Sequence, residues 1–160
     1  MLKEHDETAH PAAVTFSPAK YKVAYESSVC DKCVSCAAAC STLNFGESNP
    51  QLSGIRLSFD IMYAETIDVK TCQQCLAPSC MQACLFDAIS IDDTTGARVI
   101  DQDKCTGCRL CEIACPEEAV VYNSATNKCF KCDLCGGDPE CVKQCPAGAL
   151  SLVSPTEGGI

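Results

Sequence analysis

Apolar and polar residues alternate along this chain only in brief runs, and each run stops at a turn signal or a cysteine. Residues 20–30, KYKVAYESSVC, alternate up to the first dense cysteine stretch. Residues 46–60, GESNPQLSGIRLSFD, carry turn signals and then alternate again. Residues 88–101, AISIDDTTGARVID, are two alternating stretches around Thr-Thr-Gly, which reads as a hairpin. Residues 119–131, AVVYNSATNKCFK, read the same way, with Asn-Ser-Ala-Thr-Asn in the bend. Residues 148–153, GALSLV, form one more short strand. The pattern predicts an α+β protein of short strands, loops and single helical turns. Residues 1–20, with Pro11, Pro18, His5 and His10, read as an N-terminal arm, and residues 154–160 as a C-terminal tail.

Composition changes this picture sharply, because 17 of the 160 residues are cysteine while Trp is absent and Phe and Tyr together number nine. Such a chain has a thin apolar core for its length, and something other than protein is expected to fill the interior. The N-terminus MLKEHDETAHPAAV is polar and acidic, without the features of an export signal. No uncharged apolar run approaches the ~20 residues that cross a bilayer. The expectation is therefore a cytoplasmic protein without direct membrane insertion, where dense thiols bind metal more often than they pair as disulfides. A net charge of −9 makes nucleic acid and anionic membranes poor partners.

Sixteen of the cysteines fall into four groups: Cys30, Cys33, Cys36 and Cys40; Cys72, Cys75, Cys80 and Cys84; Cys105, Cys108, Cys111 and Cys115; Cys132, Cys135, Cys141 and Cys145. Each begins C-x2-C and ends C-x3-C, and only the middle gap varies, at two, four, two and five residues. First cysteines are spaced 42, 33 and 27 residues apart, a degenerate internal repeat. A C-x2-C loop lets two sulfurs converge on one centre, the third closes round another corner of an iron–sulfur cubane, and the C-x3-C pair spans about one helical turn. In the bacterial two-cluster run C-x2-C-x2-C-x3-C-P the fourth cysteine ligates the other cluster. The third and fourth groups keep the following proline, Pro116 and Pro146, whereas Ser41 and Leu85 stand in that place in the first two. Structural zinc needs fewer thiols in a different arrangement, and so many close-set thiols would compete for disulfide partners. The small residues among the ligands (Ala37, Ala38, Ala39, Gly107, Ala114, Gly136, Ala147) let backbone N–H groups approach sulfur or simply fit a tight loop. Cys129 is left over, and reads as a small hydrophobe on a strand. Spacing alone leaves open whether the groups pair sequentially or in a nested order.

The stretches CDKCVSCAAACS, NFGESNPQLSGIRL, CQQCLAPSCMQAC and KCDLCGGDPECVKQCPAGAL resemble the four-cluster ferredoxin-like subunits of molybdenum and tungsten enzymes, some hydrogenases and carbon monoxide dehydrogenase. They are most similar to the small subunit of tungsten-dependent aldehyde oxidoreductase complexes, with benzoyl-coenzyme A reductase subunits close behind. That resemblance implies four [4Fe–4S] clusters in two nested bacterial-ferredoxin-like modules, an outer one of residues 21–71 plus 129–153 and an inner one of 72–128. It implies ligand sets Cys30, Cys33, Cys36 and Cys145; Cys132, Cys135, Cys141 and Cys40; Cys72, Cys75, Cys80 and Cys115; and Cys105, Cys108, Cys111 and Cys84. It also implies a large tungstopterin or molybdopterin catalytic partner, with a flavin subunit or a ferredoxin as the other redox partner.

No catalytic constellation accompanies the cysteines. The two histidines lie in the first ten residues, the radical signature C-x3-C-x2-C fails in each group, and there is no G-x-G-x-x-G or P-loop. The expectation is a non-catalytic electron-transfer subunit, and the rival from another class is a metal-folded structural adaptor.

Overall fold

A computed structural model describes residues 16–59 and 67–155, so His5, His10 and most of the expected arm and tail lie outside the described residues. Among the described residues the chain forms eight short strands and four helices. The first strand, β1 (Lys22–Tyr25), pairs antiparallel with the last, β8 (Leu150–Val153), with Val23 opposite Leu152. Between them lie three local antiparallel pairs. These are β2 (Arg56–Phe59) with β3 (Ile67–Lys70), β4 (Ile89–Ile91) with β5 (Arg98–Ile100), and β6 (Val120–Asn123) with β7 (Lys128–Lys131). Both expected hairpins are thus present; the strand at β3 was not expected.

The helices follow from what succeeds each C-x3-C. Three are single turns: α2 (Ser79–Gln82), α3 (Leu110–Ile113) and α4 (Glu140–Lys143). After the last two the chain meets Pro116 or Pro146, which cannot continue a helix. The first helix, α1, was expected to be another single turn but runs from Ser35 to Phe45. Three alanines favour it and Ser41 leaves the backbone N–H ladder open where proline would close it. Gly46, at φ 72°, ends it by donating to the Thr42 carbonyl at 3.0 Å. Helix α1 packs on α4, and α2 on α3.

Two apolar clusters hold these pieces. One joins Val23, Ile55, Val69, Leu134 and Leu150; the other joins Ala88, Ile89 and Val120 with the buried thiols Cys80, Cys105, Cys111 and Cys129. An edge-to-face contact between Phe45 and Phe130, 5.1 Å between ring centres, ties the end of α1 to β7. Residues 16–20, expected to belong to a loose arm, lie against the body. Phe16 N–H donates to the Leu76 carbonyl, Lys20 N–H donates to the Thr95 carbonyl, and Ala19 is buried.

Candidate metal centres

All seventeen cysteines are free thiols. Cys30, Cys33, Cys36 and Cys145 line one hollow; Cys72, Cys75, Cys80 and Cys115 line a second; Cys84, Cys105, Cys108 and Cys111 line a third, with Cys129 beside them. The non-atom spaces are about 400, 350 and 300 Å³, part of each open to solvent. Cys40 acts electrostatically on Cys135 and Cys141, and Cys141 in turn on Cys132, which brings together a fourth set. In each set the fourth member comes from another group's C-x3-C. Among the described residues no three His, Cys, Asp or Glu donors converge on a single-ion site.

Local backbone geometry explains how the sulfurs are served. After the last cysteine of groups two, three and four, the third residue stands in the left-handed region: Asp87 at φ 48°, Glu118 at 52° and Gly148 at 65°. That bend aims the next N–H back at sulfur. Ala88 donates to Cys84 Sγ at 3.4 Å, Ala119 to Cys115 Sγ at 3.4 Å and Ala149 to Cys145 Sγ at 3.2 Å. In group one the helix continues, so this device is closed to Cys40. Its sulfur instead accepts from the Gly54 N–H at 3.4 Å and from Asn44 Nδ2 at 3.7 Å. Glycine at 54 allows this close approach, because a Cβ there would stand only 3.0 Å from the Cys132 nitrogen. The recurring donor is therefore the alanine after the turn, and Ala37 between ligands adds a backbone N–H to Cys36.

The donor chemistry fits a positively charged cluster core. Burial pushes the Cys80 thiol up to about 11 and the Cys141 thiol to about 12. Burial likewise raises Cys36, Cys75, Cys135 and Cys132, and for Cys132 the neighbouring Cys72 adds to it. A hydrogen bond with Cys129, followed by burial, raises Cys111. Thiols this crowded and dry stay protonated alone; binding to iron removes their protons. N–H groups aimed at sulfur then stabilise the resulting charge.

Two residues that the sequence reading did not single out complete the second hollow. Arg98 is 1% exposed, and its Nη atoms donate to the Gly96 carbonyl at 2.7 Å and the Ser17 carbonyl at 2.8 Å. Its Nε is buried without a partner, an orphan donor on a side chain that lines the hollow of Cys72, Cys75, Cys80 and Cys115. Lys131, 3% exposed, lines the same hollow and donates to the carbonyls of Arg98 and Cys132. Burial pulls its ammonium down, but Cys72, Cys80 and Cys132 more than offset this and hold it above the ordinary lysine range. Buried Gln74 joins the elements here, donating to the Cys132 carbonyl and accepting from the Arg98 N–H, both at 2.9 Å. One signal lay in strand alternation, which puts Lys131 on the face of the buried Cys129, immediately before a C-x2-C. Arg98 had no comparable mark. A wide groove lined by Asn49, Leu52, Arg56 and Tyr122 among others contains no cysteine.

Paired short strands, single-turn helices and interlocked thiol sets define a ferredoxin-like iron–sulfur protein. Residues 64–154 match the 4Fe-4S dicluster domain, and the chain belongs to that family. It is an electron-transfer protein of the kind found in oxidoreductase complexes and carries multiple [4Fe–4S] clusters. It is 37% identical over 128 residues to the polyferredoxin-like subunit of aliphatic sulfonate oxidoreductase from Pyrococcus furiosus, covering 78% of this chain and 73% of that one. It is 33% identical over 133 residues to the beta subunit of NADH-dependent phenylglyoxylate dehydrogenase from Aromatoleum evansii, covering 82% of this chain and 30% of that one. It is 31% identical to the hydrogenase-2 operon protein HybA of Escherichia coli O157:H7, covering 83% of this chain and 51% of that one. The chain thus spans a third to a half of the length of these last two. The benzoyl coenzyme A reductase complex BamBC aligns with a TM-score of 0.47 at 21% identity, covering 83% of this chain and 77% of that one. Among the described residues no helix is long and apolar enough to cross a membrane.

Proposed function

We propose that this chain carries single electrons through four [4Fe–4S] clusters, between a large tungsten or molybdenum pterin subunit and a second redox subunit or carrier. The ligands are the four sets drawn above, with the fourth cysteine of each group serving the neighbouring centre. The modules are nested, residues 21–71 plus 129–153 around residues 72–128. Pairing of β1 with β8 and packing of α1 on α4 and α2 on α3 support that nesting. One observation carries the reading: every thiol set takes three members from one group and one from another, so each C-x3-C turn holds two centres at a fixed separation. The sets also continue across the modules, since Cys72 acts on Cys132. The order is then Cys30–Cys33–Cys36–Cys145, Cys40–Cys132–Cys135–Cys141, Cys72–Cys75–Cys80–Cys115 and Cys84–Cys105–Cys108–Cys111.

When bound, the clusters supply one-electron reduction and oxidation. The polypeptide holds them in line, keeps them dry and directs N–H groups at their sulfurs. The chain is proposed to be non-catalytic and cytoplasmic. An aldehyde oxidoreductase is the partner favoured by the stretches around Cys30, Gly46, Cys72 and Cys132, with benzoyl-coenzyme A reductase, hydrogenase or carbon monoxide dehydrogenase as alternatives. Anaerobic capture of the tagged chain from its native host tests this. Co-purification of a pterin-containing subunit whose substrate bleaches the iron–sulfur absorbance is the expected result. A chain that captures no redox subunit, or that stays oxidised with substrate present, overturns it.

A further inference from the structure

We propose that Arg98 and Lys131 make the Cys72–Cys75–Cys80–Cys115 centre the highest in potential of the four, the place where an electron rests between the two modules. This rests on the four-cluster reading above. Reduction adds one negative charge to a centre, and a fixed cation in a dry site favours that added charge far more than a solvated one does. The hollow of Cys72, Cys75, Cys80 and Cys115 is lined by two cations, 1% and 3% exposed, and by one carboxylate, the half-buried Glu117, so buried positive charge outnumbers negative there. Among the described residues neither has a carboxylate in an ion pair. One of them also has an unspent N–H, Arg98 Nε.

No buried cation lines the other two hollows, and of these two cations only Lys131 reaches the fourth set, through Cys132. The Cys84–Cys105–Cys108–Cys111 hollow has Arg109, which is exposed and paired to Glu112 at 2.6 Å. The first hollow has Asp31 and Lys32, both exposed. Around Cys135 the nearby charges are Asp133 and Glu140, which oppose added negative charge. Backbone N–H donors serve all four sets and so do not separate them. Lys131 acts on Cys132 as well as on Cys72 and Cys80, so its pull falls at the junction between the modules.

The test is a redox titration of the full chain, prepared anaerobically and followed by EPR, after iron and sulfide analysis has counted the clusters. Fewer than four clusters in the unaltered chain overturns the parent reading. With four present, Cys75→Ser marks one wave, and the inference requires that wave to be the highest in the unaltered chain. Lys131→Met is expected to change the reduced-to-oxidised ratio of that wave at least tenfold, a fall of about 59 mV for one electron. Arg98→Gln is expected to lower the same wave, and Lys131→Arg to leave it in place. If Cys75→Ser marks any other wave, or if all four waves fall together in Lys131→Met, the inference fails. Should the charge-removing variants lose their clusters, the Cys75→Ser assignment alone still decides it.

Discussion

Substituting Gly107 by alanine strains the loop between Cys105 and Cys108 in two separable ways. Gly107 sits at φ 74°, and a Cβ built there lies 2.2 Å from the Asn127 carbonyl oxygen and 2.9 Å from its carbon. The left-handed backbone costs an L-residue about 1–2 kcal/mol. The clash adds about 1–3 kcal/mol, the usual range for overpacking. Asn127 cannot easily move aside, because its Oδ1 accepts the Tyr122 hydroxyl at 2.6 Å. The sum, about 2–5 kcal/mol, is a large share of the ~5–15 kcal/mol that holds a domain folded. Gly148→Asn is the control. Gly148 has φ 65° with nothing within 4 Å of a built Cβ, and its counterparts Asp87 and Glu118 already hold that conformation with side chains. It should cost about 1 kcal/mol or less. The assay is the rate at which iron–sulfur absorbance bleaches in guanidinium under anaerobic conditions. With each 1.36 kcal/mol worth tenfold, Gly107→Ala should bleach at least tenfold faster than the unaltered chain. Gly148→Asn should stay within a few-fold. Equal rates for the two variants would refute the reasoning, because only Gly107→Ala meets Asn127.

Other outcomes follow from the same geometry. Ser41→Ala removes the hydroxyl that donates to the Ala38 carbonyl and accepts from the Asn49 N–H, and should cost about 1 kcal/mol in thermal or denaturant stability. Ser41→Pro, which restores the proline of groups three and four, should instead cost about 3 kcal/mol or more and shorten the helical CD signal by breaking α1. Gln74→Leu takes the acceptor from the Arg98 N–H and leaves the Cys132 carbonyl with the Lys131 ammonium alone, should cost about 1–3 kcal/mol, and should speed cluster loss on air exposure. Cys30→Ser and Cys105→Ser should lower bound iron by about a quarter or prevent folding, whereas Cys129→Ser should leave iron content unchanged by metal analysis.

Much of this molecule was legible in its cysteines and in its short alternations. The hairpins at 88–101 and 119–131 appear where Thr-Thr-Gly and Asn-Ser-Ala-Thr-Asn bend the chain, because turn chemistry and strand alternation are local. The four thiol sets were legible because C-x2-C and C-x3-C are local geometries too, although which group lends its last cysteine to which came from resemblance rather than spacing. Helix α1 was underestimated. A helix that continues past its ligand depends on Ser41 not being proline, and how far it runs depends also on its packing against α4, which local spacing does not show. The contacts that sequence could not give are those made at long range. Gly54 reaches Cys40 and crowds Cys132, Gln74 bridges Cys132 and Arg98, and residues 16–20 close over the β4–β5 hairpin. Buried Arg98 and Lys131 were the largest omission, since charged residues in short hairpins read as solvated until the hollow beside them is seen.

The central claim is that sixteen thiols hold four iron–sulfur cubanes close enough to pass an electron along the chain. Iron and acid-labile sulfide analysis of anaerobically purified protein, with EPR of the dithionite-reduced sample, tests this most directly. About 16 iron and 16 sulfide per chain, with signals broadened by coupling between neighbouring reduced centres, is the predicted result. Colourless protein containing zinc, or half that iron with uncoupled signals, would contradict it.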